Sequence, residues 1–210
     1  MKPGDLLPPG EYPAPKHWTA TASGGALDLD DPRPEQIRLT DVATGLAHVC
    51  RWNGQTPLGQ RISVAEHSVL VARLAIASLA ALPTDDPRPV VQACLLHDAH
   101  EAYPPGDVAG PVKAYLRARG DHVLAELEAA VQRAIELRFG VVYSAAVAAA
   151  VKQHDLESRW LERAQLLLPC ERGWGEGLPR PRDPHPRIEC WEPERAAETW
   201  LEWCHDWGIR

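Results

Sequence analysis

The 210-residue chain has no excess of positive charge, no CxxC pair, no long apolar run and almost no strand-like alternation. Each absence removes a class of protein. With 22 basic against 29 acidic residues the formal charge is −7, so no broad field attracts the phosphate backbone of a nucleic-acid polymer. A small anion can still bind through a few local Arg or Lys side chains. Cys50, Cys94, Cys170, Cys190 and Cys204 are odd in number and widely scattered, and they read as free thiols of a reducing compartment, Cys50 and Cys94 within apolar helical stretches. No run of about 18 apolar residues and no apolar core of a signal peptide is visible, so neither a membrane span nor secretion is expected, and the cytoplasm is the expected location. No repeat at a fixed period of about 20–50 residues is visible either.

What is present is an ordinary globular composition, 45% hydrophobic and 24% charged, at a length that suits one domain with its own core. Residues 1–35 are rich in Pro and Gly and read as an extended arm or loops, 36–168 as the core, and 169–210 as a loop and terminal helix packing on it. Trp174 and Trp191 predict that this loop lies against the surface. Thr40 reads as the cap of a helix through DVATGLAHVC, and Ser63 with Glu66 has the form of a capping box opening a helix to about Leu82. Asp86-Pro87 starts the helix of VVQACLLHDA, a shorter helix follows around 110–118, and Asp121 caps a long one that ends at Gly140. Ser144 opens AAVAAAVKQHDLESRWLERAQLLL and Glu192-Pro193 opens the last helix. The expected fold is all-α.

Four polar residues fall on the inner faces of these helices. His67 shares a stripe with Val64, Val71 and Leu74, and His97 a face with Val90 and Ala93. Asp98 follows Val91, Cys94 and Leu95 at helical spacings, and Asp155 follows Ala148 and Val151. A lone inward His is more often hydrogen-bonded in a core than bound to metal. Two imidazoles and two carboxylates together, however, form a mixed N/O set suited to a first-row divalent ion, and a cation compensates carboxylates that are costly to bury alone. A structural protein with buried His–Asp pairs stays open at this point.

ISVAEHSVLVA at 62–72, CLLHDAHEAYPPGDVAGPVK at 94–113 and KQHDLESRWLERAQ at 152–165 resemble, in this order, the motifs of the HD-domain metal-dependent phosphohydrolases. The resemblance covers about residues 40–165 and implies a single helical HD domain. It also implies one divalent ion (Mn, Co, Zn, Fe or Mg) on His67, His97, Asp98 and Asp155. Within the superfamily the chain is most similar to the compact bacterial 5′-deoxynucleotidases and the related phage dNTP triphosphohydrolases. Arg51-Trp52 in CRWNGQ matches their Arg ahead of the first His, while Glu101, Asp107 and Lys113 match their Glu after the HD pair, their Gly-Asp and their Pro-x-Lys. The longer YPPGDVAG stretch and the extended ends depart from that pattern.

The activity so implied is hydrolysis of a nucleotide by water, a deoxynucleoside monophosphate ahead of a dNTP, with a nucleotide-binding protein lacking turnover as the alternative. Glu101 suits holding or deprotonating a water, Arg51 a two-pronged grip on phosphate, and Lys113 an added point charge. Asp107 suits a sugar hydroxyl or the leaving-group proton and equally a Gly-Asp turn, and Trp52 suits base stacking or the rim of the core. His100, which points to a different helical side, His122 at a helix start and His154 beside the chosen Asp155 are set aside as ligands. The expected partner is a small nucleotide, with no polymer or membrane, and self-association stays open.

Overall fold

In the computed structural model, residues 16–78, 86–172 and 177–210 are described. Among them the fold is all-α, with helices α1 (Leu39–His48), α2 (Val64–Ala77), α3 (Arg88–Leu96), α4 (Gly110–Ala118), α5 (Val123–Phe139), α6 (Ala145–Leu166) and α7 (Pro193–Asp206). Short 3-10 turns at Pro34–Gln36, Arg51–Gly54 and Ala99–Ala102 join them. No helix among the described residues is long and apolar enough to cross a membrane.

The central element is α2, which packs against α1, α3, α6 and α7 and buries residues around its whole circumference, including Val64, His67, Val69, Val71 and Ala75. A helix apolar all round belongs in the middle of a core. Ser63 caps it, accepting the Glu66 N–H at 3.2 Å. The second half of the capping box does not form. Instead the Glu66 carboxylate accepts the backbone N–H groups of Glu189 (2.9 Å), Cys190 (3.0 Å) and Trp191 (2.8 Å), and so fixes the segment ahead of α7. Trp191 is buried, as the loop's composition predicts, while Trp174 lies outside the described residues. From α7, Trp200 is fully buried and its indole N–H donates to the Leu95 carbonyl at 3.1 Å. The large core joins α1, α2, α3, α5, α6 and α7, and a smaller one gathers Ile62, Leu70, Leu74, Leu161, Leu166 and Ile188.

Other ends follow local chemistry. Ser144 accepts the Val147 N–H at 3.2 Å at the start of α6, and Gly140 closes α5 at φ 66°, a left-handed conformation that favours glycine. Asp121 accepts the Val123 N–H at 3.0 Å from one residue outside the cap position, which His122 occupies. The limit expected near Leu82 falls outside the described residues.

Three expectations are corrected. Thr40 does not cap α1: Arg38 stands at the cap, and its carbonyl accepts the Asp41 and Val42 N–H groups. Cys50 lies beyond α1 in a bridge to Ser63, because the Val49 carbonyl is taken by the Val64 N–H. The first 35 residues are not all loop: Trp18–Ala20 (β1) pairs antiparallel with Ala26–Asp28 (β2), and Leu27 drives fully into the core. The turn of this hairpin is tied to α1 by Asp41, whose carboxylate accepts the Ser23 N–H at 2.7 Å and its hydroxyl at 2.8 Å.

Candidate metal centre

Three side chains converge where the end of α3 meets α2 and α6. His67 comes from the first turn of α2, and His97 and Asp98 follow α3 directly; their ligand atoms all lie within 4.8 Å of one another. The two Nε2 atoms are 3.3 Å apart, and Asp98 Oδ2 is 3.5 Å from that of His67 and 3.1 Å from that of His97. Asp155 of α6 stands outside this tight group of three but brings Oδ1 to 3.6 Å from His67 Nε2. Its Oδ2 faces Lys152 Nζ at 3.3 Å and Arg159 at 3.6 Å. A tetrahedral shell with bonds of about 2.0–2.2 Å separates neighbouring ligand atoms by about 3.3–3.6 Å, and the 3.1–3.5 Å between His67, His97 and Asp98 is close to that.

The protonation pattern also fits a cation. His67 Nδ1 lies 2.7 Å from Glu162 Oε1, and His97 Nδ1 lies 2.8 Å from the Cys94 carbonyl. A carboxylate and a carbonyl only accept, so each neutral imidazole donates from Nδ1 and presents the Nε2 lone pair. Two lone pairs and a carboxylate oxygen facing one another repel unless positive charge lies among them. Without an ion, a proton on His97 supplies it: burial would lower this imidazole, but the Asp98 charge and hydrogen bond, then Asp155 and the Cys94 carbonyl, carry its pKa up to about 9. Burial likewise works against the Asp98 carboxylate, which His97 and His67 hold well below its ordinary range. A divalent ion supplies more charge to the same place.

Glu162 is the residue that sequence reasoning missed. Its side chain is fully buried, and it accepts from His67 Nδ1, from Arg51 Nε at 3.0 and 3.1 Å, and from the Trp52 indole at 2.8 Å. Burial alone would raise its pKa, yet Arg51 and His67 hold it at about 2. The signal was present: Glu162 stands seven residues after Asp155 and four after Ser158, on one face of α6. Ser158 Oγ lies 3.2 Å from His67 Nδ1 and donates to the Asp155 carbonyl at 2.8 Å, so this whole face addresses His67.

Arg51 is buried and committed through Nε to Glu162, with Nη1 3.7 Å from Asp98 Oδ2. Trp52 is half-buried, its N–H engaged by Glu162 and its ring packed on the smaller core, at a left-handed φ of 58°. Glu101, in the turn after Asp98, is 4% exposed, with Oε1 3.8 Å from Lys113 Nζ and Oε2 buried without a hydrogen-bond partner among the described residues. Burial, then Asp98 and Asp107, push its carboxyl up to about 9. Asp107 is also raised, by burial and by Asp98, against the pull of Arg51. Lys113 of α4 reaches Glu128 of α5 at 3.1 Å. The turn carrying Glu101 is packed on α1, where a Cβ on Gly45 would collide with the Ala102 backbone. The other histidines stay out of the ligand group: His100 faces Gln132 of α5, His122 begins α5, and buried His154 meets Glu157 at 2.9 Å.

Because Glu162 fixes the tautomer and orientation of His67, Glu162→Gln is expected to weaken divalent-ion binding roughly 10- to 100-fold, the range for groups hydrogen-bonded to a metal ligand. It should also lower the Tm, since Arg51 loses its buried counter-charge. Calorimetric titration with Mn²⁺ beside a thermal melt checks both. An unchanged affinity with a lowered Tm would leave Glu162 a packing role alone.

No family model matches the chain. It is 43% identical over 151 residues to the uncharacterized protein RCAP_rcc00048 of Rhodobacter capsulatus, an alignment covering 71% of this chain and 72% of that one. It is 29% identical over 161 residues to the uncharacterized protein YfdR of Escherichia coli strain K12, covering 76% and 79%. At this identity over more than two thirds of both proteins, the chain belongs to the same family as RCAP_rcc00048.

Proposed function

We propose that the chain is a metal-dependent phosphohydrolase of the HD type that acts on nucleotides, a 5′-deoxynucleoside monophosphate first among them. The observation that carries this reading is the approach of two imidazole lone pairs and one carboxylate oxygen to within 3.1–3.5 Å, beside a buried guanidinium. His67, His97 and Asp98 would hold the ion, with Asp155 alongside. When bound, the ion supplies positive charge that polarises a phosphoryl oxygen and acidifies water near it.

The chain's own residues have distinct tasks in this reading. Arg51, locked through Nε to Glu162, turns Nη1 towards Asp98 and stabilises charge that builds on the phosphoryl oxygens. Lys113 adds charge from α4, held between Glu101 and Glu128. The Glu101 carboxyl exchanges the proton: protonated, it gives one to the departing ester oxygen, and ionised, it takes one from the attacking water. Water oxygen bonds to phosphorus, the ester P–O bond breaks, and no covalent intermediate with the protein forms. The net charge of −7 gives a nucleic-acid polymer no broad attractive field, in keeping with a small substrate.

The test is a panel of deoxy- and ribonucleotides with Mn²⁺, Co²⁺, Mg²⁺ or Zn²⁺ and resolution of the products. Deoxynucleoside and inorganic phosphate from a monophosphate are expected. Release of tripolyphosphate from dNTPs in preference would move the reading to a triphosphohydrolase. If the metal-loaded protein turns over no nucleotide at all, the reading fails.

A further inference from the structure

The helix α3 stops at Leu96, one residue before the His97-Asp98 pair, and the chain resumes as the 3-10 turn Ala99–Ala102. Had the helix continued, the His100 N–H would donate to the Leu96 carbonyl, the ordinary bond from residue i to i−4. Both groups instead meet one side chain from α5. The Leu96 carbonyl accepts from Gln132 Nε2 at 2.9 Å, and the His100 N–H donates to Gln132 Oε1 at 3.3 Å. The amide of Gln132 therefore sits in the place of the missing helical hydrogen bond, with one partner on either side of the ligand pair.

This placement bears on how two adjacent residues reach a common point. Successive side chains on an α-helix diverge by about 100°, so His97 and Asp98 on a continuous helix would point apart. His97 still holds helical angles (φ −63°, ψ −32°), and the backbone leaves the helix at Asp98 (φ −110°, ψ 19°), whose Oδ2 lies 3.1 Å from His97 Nε2. Gln132 is itself held, since Nε2 also donates to Glu136 Oε1 at 3.1 Å and Oε1 faces His100 Nδ1 at 3.3 Å. A side chain inserted into a helical hydrogen-bond ladder is a recognised cause of a helix break.

We infer that Gln132 is a positioning residue for the metal-binding pair, a wedge that keeps α3 open so that His97 and Asp98 converge on His67. The inference rests on the metal-site reading above. Gln132 acts through the backbone on either side of the pair, which its amide holds at Leu96 and His100. It also gives His100 a task that its position in HDAHE does not suggest: its backbone and ring both face the wedge, and the ring is thereby turned towards α5 instead of the ligands.

The experiment compares the full chain with Gln132→Met and Gln165→Met, reading Mn²⁺ affinity by calorimetry and Tm without added ion. Gln165 is a fitting control because its amide makes the same two-sided backbone brace elsewhere, donating to Pro186 O at 3.3 Å and accepting from Ile188 N at 3.0 Å. Both variants should lower the Tm. Only Q132M should weaken Mn²⁺ binding, by roughly tenfold or more, as for other outer supports of a metal ligand. Should Q132M not fold, Gln132→Asn keeps the amide one methylene short and is expected to weaken binding in the same sense. Wild-type affinity in the folded Gln132 variant, or an equal loss in Q165M, overturns the inference while leaving the metal site intact. A wild-type chain that binds no Mn²⁺, Co²⁺, Mg²⁺ or Zn²⁺ overturns the proposed function, and the wedge falls with it.

Discussion

Asp98→Ala should yield a folded chain that retains no divalent ion and hydrolyses no nucleotide. Asp98 Oδ2 approaches both Nε2 atoms, at 3.1 and 3.5 Å, and Arg51 Nη1 at 3.7 Å, so it is the anion on which the group converges. Without it, the carboxylate left beside a ligand Nε2 is that of Asp155, 3.6 Å from His67, which already shares its charge with Lys152 and Arg159. Two neutral imidazoles alone hold a hard divalent ion weakly. The fold should survive, because the Asp98 side chain is 21% exposed and the interactions seen for it are with site residues. Two measurements separate loss of site from loss of fold. Metal content after dialysis should fall to background in D98A, and added Mn²⁺ should raise the Tm of the wild type but not of the variant, since a ligand stabilises only a fold that binds it. Stoichiometric metal retained by D98A would remove the residue from the ligand set.

How much of this centre was legible in the sequence depends on the range of the interactions that build it. Ser63, Ser144, Gly140 and Pro193 mark helix ends because capping chemistry is decided within a few residues, and all four stand at or beside the ends they predict. His67 reads as inward for the same reason: its apolar stripe is local, and it is fully buried. The break after Leu96 was not legible, because no Gly or Pro follows it until Pro104 and the amide that opens the helix comes from 36 residues further along. Glu162 was hidden by its company. In LERAQ it looks like one more charged residue on a solvated face, and only its register with Asp155 and Ser158 shows otherwise. The hairpin at Trp18–Asp28 has strands of three residues each, too short for alternation to register. Trp52 points its N–H at Glu162 through a left-handed backbone, which no spacing rule anticipates.

Glu101→Gln should cost roughly 10²- to 10⁴-fold in kcat, the usual contribution of a positioned acid or base, with metal content unchanged. The substitution keeps the volume of a side chain that is 4% exposed, but an amide can neither ionise nor pass a proton. A purely structural role predicts the opposite balance, a loss of stability with activity to match, while the pH dependence of stability tests the burial of its carboxyl. Burial, with Asp98 and Asp107, holds the folded-state pKa of Glu101 at about 9, well above its ordinary value. An acid raised in this way favours the folded state fully below its unfolded pKa and loses that contribution as pH rises towards the folded value. In metal-free protein the wild-type Tm should therefore fall, relative to that of E101Q, between about pH 4.5 and pH 9. At pH 8 the variant should melt no earlier than the wild type. A chain equally stable, equally loaded with metal and slower by two orders of magnitude or more would assign Glu101 to the chemistry. Wild-type kcat in metal-loaded E101Q would take it out, and the proton would then have to pass through Asp107, the other raised carboxyl of the site.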